Sequence, residues 1–328
     1  MPMRTLKINL LYECTAQCAH CRFSCTNDGP AHSPDVETPY AVAKELKENL
    51  GLDMAVVLGG EPTLYRKETI GLLERLHGLG LATRMETNAG WAESPEAAVR
   101  LLAPLKELET SVMLSLDGFH DPFVPVERVR NAILACERLG LTYNLEQPYL
   151  DVEHRDHPVD RRTEELYRSL SALLGREIRR FEGGIVFVGR AADSYGDAFA
   201  AGRGIPRDVC TAVPWWLDGE ISTTDLLILE PGGYLTKGCG IAIGNVHEKN
   251  VTDLVKGYDP YRHPIFSVLL TEGPLGLAKL AERVGYRMKR DYADKCQLCQ
   301  EARRALRPYY EAYLQPEQHY GGGREAAI

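Results

Sequence analysis

A chain of 328 residues is too long for a minimal module, and its size predicts one large core with an appendage. With 44% hydrophobic and 26% charged residues, no uninterrupted run of 18 apolar residues and no apolar stretch behind Met1–Arg4, the sequence argues against membrane insertion and predicts an unexported, cytoplasmic protein. A net charge of -8 offers no basic footprint for a polyanion, which points away from nucleic acid and toward a small molecule or a peptide.

Thr5 to Leu11 reads as a short strand, followed by a cysteine-bearing loop. Val42, Leu46 and Leu50 then repeat at helical spacing, with Thr38-Pro39 starting that helix and Gly51 ending it. Met54 to Leu58 is the second strand, Ile70, Leu73 and Leu76 stripe a second helix, and Leu81 to Thr87 is the third strand. Ser94 with Pro95 caps a third helix, Ser111 to Leu116 is a strand, Val129, Ile133 and Cys136 stripe a fourth helix, and Leu141 to Leu145 is the fifth strand. A helix carrying Leu166, Leu170 and Leu173 precedes Gly184 to Val188, which closes the series. Strands recurring about thirty to fifty residues apart with helices between them fit right-handed βαβ crossovers, so the fold expected is α/β, a partial (β/α)6 barrel over residues 1–205. In such sheets ligands sit beyond the carboxyl ends of the strands, so the loops after strands carry the chemistry.

From about Asp193 the pattern changes. Leu226 to Glu230, Pro231-Gly232-Gly233 and Tyr234 to Lys237 predict a hairpin, with helical stretches after Val251 and Pro274. Residues 206–328 are thus expected to form a small α+β domain with C-terminal helices, and Gln315 to Ile328 a frayed tail.

Nine cysteines in a chain without an export signal favour metal or redox chemistry over disulfides. Cys14, Cys18 and Cys21, with three and then two residues between them, follow the first strand. Three thiolates from one tight loop can hold three irons of a [4Fe-4S] cube and leave the fourth iron open. The alternative is a closed structural zinc site completed by Cys25 or His20. Cys210, Cys239, Cys296 and Cys299, with 28, 56 and 2 residues between them, make a four-thiolate set for a second [4Fe-4S] cluster or for zinc. Cys136 lies on an apolar helix stripe and reads as a core thiol.

The first loop resembles the radical S-adenosylmethionine (SAM) superfamily, whose signature is a CxxxCxxC loop with an aromatic residue or histidine before the last cysteine, as His20 is here. The resemblance extends to Gly59-Gly60-Glu61-Pro62 after the second strand, where the family places a motif that grips the methionine amino group; by itself the tetrapeptide also reads as a turn. Thr87 and Asn88 end the third strand and Ser115 and Asp117 the fourth, positions that in similar enzymes face the methionine carboxylate and the ribose hydroxyls, although Asn88-Ala89-Gly90 and Asp117-Gly118 are also plausible turns. Ile185, within Gly184 to Gly189, occupies the place where the family packs apolar backbone against adenine, and an interior strand has the same pattern. Around Cys239 the run from Gly232 to Val246 resembles the auxiliary-cluster region of the SPASM and twitch branch, the shorter twitch form with one cluster fitting the cysteine count better.

The resemblance implies a reduced cluster that cleaves SAM to methionine and a 5'-deoxyadenosyl radical, which abstracts a substrate hydrogen atom. It implies SAM and two [4Fe-4S] clusters as cofactors and an external electron donor such as a flavodoxin or a ferredoxin. Similar two-cluster proteins modify ribosomally made peptides by cross-linking, thioether formation or epimerisation, or oxidise or rearrange a small metabolite; a peptide is favoured here. Only about a dozen residues precede Cys14, so leader capture is expected to need direct binding or a separate leader-peptide-binding protein. Cys25 lies in the loop Arg22 to Pro34, where a thiol can donate a hydrogen atom as in similar peptide epimerases, though most loop cysteines have no such duty. His120, Asp121, Glu146, Gln147 and Arg190 follow strands and are candidate substrate contacts or surface ion-pair residues; Trp215 and Trp216 wall the auxiliary site or pack a junction. A non-catalytic zinc or electron-transfer protein is the alternative from another class.

Overall fold

The computed structural model describes residues 4–27, 33–212 and 220–321. Contacts divide the chain into two units: Arg4–Cys18 with Cys25–Ile185, and Ala19–Ser24 with the chain from Val186 onward.

In the first unit six strands form a parallel sheet: β1 (Thr5–Asn9), β2 (Met54–Leu58), β3 (Ala82–Thr87), β4 (Ser111–Ser115), β5 (Tyr143–Tyr149) and β6 (Arg180–Gly184). They lie side by side in chain order. Five helices connect them: α1 (Glu37–Leu50), α2 (Arg66–Gly78), α3 (Pro95–Glu107), α4 (Val126–Leu139) and α5 (Pro158–Leu174). Right-handed crossovers between successive neighbours put every helix on one face, the winding of a (β/α) barrel and the α/β core expected. The strand registers agree. Leu6, Ile8, Ala55, Val57, Met85, Val112 and Leu114 share one face and are buried; Lys7, Arg84, Glu86, Ser115 and Glu146 share the other.

Local chemistry sets the helix ends. Gly51 ends α1 in the left-handed conformation at φ 67°, and its N–H returns to the Leu46 carbonyl. Ser94 Oγ accepts from Ala97 N–H at 3.1 Å ahead of Pro95, capping α3. The stripe Val129, Ile133 and Cys136 is buried as the spacing predicts. On α5 the buried face is Thr163, Leu166 and Leu170, and Leu173 is 44% exposed.

Two strand assignments need correction. The sixth strand is Arg180–Gly184, not Gly184 to Val188, so Ile185 stands beyond the strand's carboxyl end, where its N–H donates to the Tyr149 carbonyl at 2.8 Å. β6 is an edge strand rich in glycine and charge, which hides it from an apolar-run criterion. β5 extends to Tyr149, so Glu146 and Gln147 lie within it rather than after it.

In the second unit a π-turn (Ala192–Gly196) leads into α6 (Asp197–Ala200). The predicted hairpin is β7 (Leu226–Leu229) against β8 (Tyr234–Thr236), with Leu229 opposite Leu235, and β9 (Ala242–Asn245) extends it antiparallel. Four helices follow: α7 (Val251–Lys256), α8 (Phe266–Thr271), α9 (Gly273–Glu282) and α10 (Lys295–Leu306). Leu226 and Ile228 of β7, Phe266 and Leu269 of α8, Leu277 of α9 and Leu298 of α10 form its core. The expectation of a frayed end fails for Gln315 to Gly321: Glu317–Tyr320 is a 3-10 turn, His319 is buried and its carbonyl accepts from Gln300 Nε2 at 2.7 Å. Residues 322–328 of that predicted tail, and Trp215 and Trp216, lie outside the described residues. No helix among the described residues is long and apolar enough to cross a membrane.

Candidate functional site

The loop after β1 passes directly over the Gly-Gly pair after β2. Gly60 N–H donates to the Leu11 carbonyl at 2.7 Å and Glu61 N–H to the Glu13 carbonyl at 2.8 Å, so the two loops pair like strands beyond the sheet. A Cβ on Gly60 would lie 1.8 Å from the Glu13 carbonyl oxygen. Here the glycine serves the approach of two protein backbones, a structural reason for the motif that the sequence reading did not supply.

Glu61 is 1% exposed. Its Oε1 accepts from Thr63 N–H at 3.1 Å and Thr63 Oγ1 at 2.5 Å; Thr87 Oγ1 lies 2.8 Å from Oε1 and 3.0 Å from Oε2, and Oε2 accepts from Asn88 N–H at 2.9 Å. A carboxylate has about four acceptor positions, so protein donors take up this one's capacity. Burial raises the Glu61 pKa, against the opposing effect of these hydrogen bonds. The carboxylate therefore ties the end of β2 to the end of β3, while Pro62 opens the 3-10 turn Pro62–Tyr65 and its carbonyl accepts from Thr69 Oγ1 at 2.6 Å.

Thr87 is on the helix-facing side of β3 with Thr83 and Met85, and it is buried. Its hydroxyl oxygen accepts from Trp91 Nε1 at 2.8 Å. This parity turns Thr87 from the ligand-facing role expected of it toward a structural one. Asn88 stands differently. Its Oδ1 accepts from Gly90 N–H at 2.7 Å, which orients the amide, and Nδ2 points to Thr15 Oγ1 at 3.2 Å and to Cys14 Sγ at 3.8 Å. Ala16 N–H also donates to Cys14 Sγ, at 3.4 Å. Two N–H donors on one sulfur fit a thiolate ligand.

Ser115 is on the open face of the sheet, in register with Glu146. Asp117, expected to meet a ribose, is fully buried and otherwise engaged. Its Oδ1 accepts from the N–H groups of Phe119 and His120, each at 2.9 Å, and its Oδ2 lies 2.7 Å from His120 Nδ1. Burial opposes charge on His120, but Asp117 and the adjacent Cys18 outweigh it and hold the imidazole pKa well above its usual value. His120 therefore belongs with Cys18 rather than with a substrate surface, an arrangement of carboxylate, imidazole and thiol that sequence spacing does not reveal.

Among the other substrate candidates, Asp121 pairs with Arg162 at 2.8 and 3.1 Å. Gln147 is buried on the helix-facing side, bonded to the Leu116 carbonyl and to Arg180. Glu146 alone of these faces the open side of the sheet, beyond which Lys7 Nζ and Glu86 form an ion pair at 3.0 Å. Cys25 is buried; next to it the Thr26 carbonyl accepts from Cys14 N–H at 3.2 Å, closing the loop back on its start. Cys136 is a core thiol, its pKa pushed up to about 12 by burial.

Cys21 belongs to the second unit. Its carbonyl accepts from Arg190 N–H at 3.1 Å, and a Cβ on Gly189, whose φ is 55°, would lie 2.7 Å from that oxygen. In the same unit Cys210, Cys239, Cys296 and Cys299 line one cavity, with Lys237 and Arg303 beside them. The CxxC pair spans the first and second turns of α10, where i, i+3 spacing puts both sulfurs on one face near the positive end of the helix; Asp294 Oδ1 caps it, accepting from Gln297 N–H at 2.8 Å. Burial first, and the other thiols second, push Cys210 up to about 12; burial first, then the Asp294 carboxylate and the other thiols, push Cys296 well above the ordinary thiol range. Four convergent thiols that resist ionising alone are a donor set a soft metal centre satisfies by displacing their protons. Burial pulls Lys237 down to about 8.

The Radical SAM superfamily model matches residues 8–145, which run from β1 into β5 and include Cys14, Cys18, Cys21 and Gly59 to Pro62. Over residues 8–145 the chain is thus similar to the radical SAM superfamily, whose cofactors are SAM and a [4Fe-4S] cluster. YydG of Bacillus subtilis (strain 168), a protein named provisionally for peptide biosynthesis, is 26% identical over 133 residues, which are 40% of this chain and 41% of that protein. The match thus spans about two fifths of the curated relative. Among solved structures, Streptococcus suis SuiB bound to precursor peptide SuiA is 13% identical, covering 81% of this chain and 67% of SuiB at a TM-score of 0.43. Histidine-tagged anSMEcpe with bound AdoMet is 13% identical, covering 94% of each chain at a TM-score of 0.48.

Proposed function

We propose that this chain is a radical SAM enzyme that modifies a peptide, using Cys14, Cys18 and Cys21 to hold the SAM-binding cluster and Cys210, Cys239, Cys296 and Cys299 to hold one auxiliary [4Fe-4S] cluster of the twitch type. The observation that carries the two-cluster reading is the convergence of four thiols, up to 89 residues apart in sequence, on one cavity. The peptide reading is supported by the similarity to YydG. When bound, cluster and SAM supply a 5'-deoxyadenosyl radical able to remove a hydrogen atom from an unactivated C–H bond.

The chain's own residues fix the setting for that chemistry. Ala16 and Asn88 N–H groups stabilise the Cys14 thiolate, and the Asp117–His120 pair does the same at Cys18. Glu61 holds Asn88 by its backbone N–H and so fixes the loops where SAM is proposed to bind, with Gly59, Gly60, Pro62, Thr87, Ser115 and Ile185 shaping that site. The sheet face turned away from the helices carries Arg84, Glu86 and Glu146, with Lys7 buried and paired to Glu86, a charged lining for a polar substrate. Cys25 is the candidate thiol for returning a hydrogen atom should the product be an epimer. The test is anaerobic incubation of reconstituted enzyme with SAM, reductant and candidate precursor peptides in deuterated water. A mass change of -2 marks oxidation, about +1 marks epimerisation with solvent deuterium, and turnover of a small metabolite with every peptide untouched defeats the peptide reading.

A further inference from the structure

The four thiols do not by themselves account for the side chain of Arg303. It is 1% exposed, and a guanidinium stays charged at any pH a protein survives. Nε–H donates to Cys299 Sγ at 3.3 Å, the Nη1 group to the Cys239 carbonyl and to Tyr320 Oη at 2.9 Å, and Nη2 to Gln300 Oε1 at 2.9 Å. None of these described partners is a carboxylate. The cavity it borders with Lys237 and Lys295 likewise has no carboxylate among its lining residues, and the groups there able to become negative are the four thiols. A buried cation held by neutral acceptors is strongly unfavourable; Asp294, the carboxylate that caps α10 and acts on Cys296, is not among the groups bonded to Arg303, so the sulfurs are the counter-charge in direct contact with it.

We infer that Arg303 is a positioning residue that balances the negative charge of the metal-thiolate centre formed by Cys210, Cys239, Cys296 and Cys299 and raises that centre's reduction potential. The inference rests on the four-thiolate cluster proposed above. Reduction adds one negative charge to the centre, and a fixed cation with its N–H directed at a ligand sulfur stabilises the more negative state. Bonding the carbonyl of one ligand residue and the sulfur of another, Arg303 also couples the turn carrying Cys239 to α10, with the Tyr320 hydroxyl holding the guanidinium from the C-terminal 3-10 turn.

The test is an anaerobic redox titration followed by electron paramagnetic resonance on the full chain, on Arg303→Gln and on Arg303→Lys. Iron and sulfide are counted first. The expected result is a lower auxiliary potential in Arg303→Gln and a smaller fall in Arg303→Lys, which keeps the charge but loses the Nε–H, with the SAM-cluster potential unmoved in both. If Arg303→Gln fails to assemble the auxiliary cluster while Arg303→Lys assembles it, the charge requirement is again upheld. An unchanged auxiliary potential in Arg303→Gln, or loss of that cluster from both variants alike, overturns the inference. A wild-type chain with a single cluster removes the four-thiolate reading and the inference together, whereas two clusters with an unmoved potential remove only the inference.

Discussion

Replacing Gly60 by alanine adds one carbon at the tightest point where the β1 and β2 loops pair. The new Cβ would sit 1.8 Å from the Glu13 carbonyl oxygen and 2.4 Å from its carbon, both backbone atoms with no rotamer to relieve the overlap. The loops must part by more than an ångström, which lengthens the 2.7 Å bond to Leu11 and the 2.8 Å bond to Glu13. Two hydrogen bonds at about 1 kcal/mol each and about 1–3 kcal/mol of overpacking give a loss of roughly 3–5 kcal/mol. Gly71, inside α2 with nothing within 4 Å of its Cβ position, is the matched control, and its alanine variant should gain about 0.5–1 kcal/mol. Urea unfolding under anaerobic conditions reads both. A Gly60→Ala variant within about 1 kcal/mol of wild type would refute the close-approach reasoning and return the motif to a role in ligand contact alone.

Glu61→Gln replaces one acceptor oxygen by an NH2 group; if it faces Asn88 N–H, that donor is left unpaired, and a loss of about 1–3 kcal/mol in unfolding free energy is expected, with no measurable loss counting against the anchoring role. His263 Nδ1 accepts from the N–H groups of Ile265 and Phe266 and its Nε2 lies 3.0 Å from the Ala242 carbonyl, while burial lowers its pKa. With the folded pKa below the unfolded one, its contribution is complete above about pH 6.5 and is lost as pH falls toward the folded value. Wild type should therefore lose more stability than His263→Gln between pH 7.5 and 5.5, and parallel losses would contradict this. Cys299→Ser should lower iron from about eight to about four atoms per chain and leave the SAM-responsive cluster in place; unchanged iron would argue against Cys299 as a ligand.

Helices whose buried stripes recur at 3.6-residue spacing, and central strands that are continuous apolar runs, were legible because both faces or one full stripe are covered: β2 ends where its apolar run ends. β6 was misplaced because an edge strand of sequence RFEGG carries no such run, and β9 and α8 were too short for a periodic signal. The spacing of Cys210, Cys239, Cys296 and Cys299 suggested one shared site, and the four line one cavity. Which way Thr87 points was in principle available from the alternation Thr83, Met85, Thr87, whereas the hold of Asp117 on His120 and the bonds of Arg303 depend on contacts across loops and over 64 residues of chain. No local pattern encodes those.

The central claim is a cluster held by Cys14, Cys18 and Cys21 that binds SAM at an open iron. The most direct measurement is electron paramagnetic resonance of the reduced Cys239→Ser/Cys299→Ser double variant, in which the auxiliary signal is removed, with and without SAM. A cubane signal whose g-values change on addition of SAM is the result expected, and its loss in Cys18→Ala should follow. A signal indifferent to SAM, or a chain carrying zinc at these thiols in place of iron, would contradict the account.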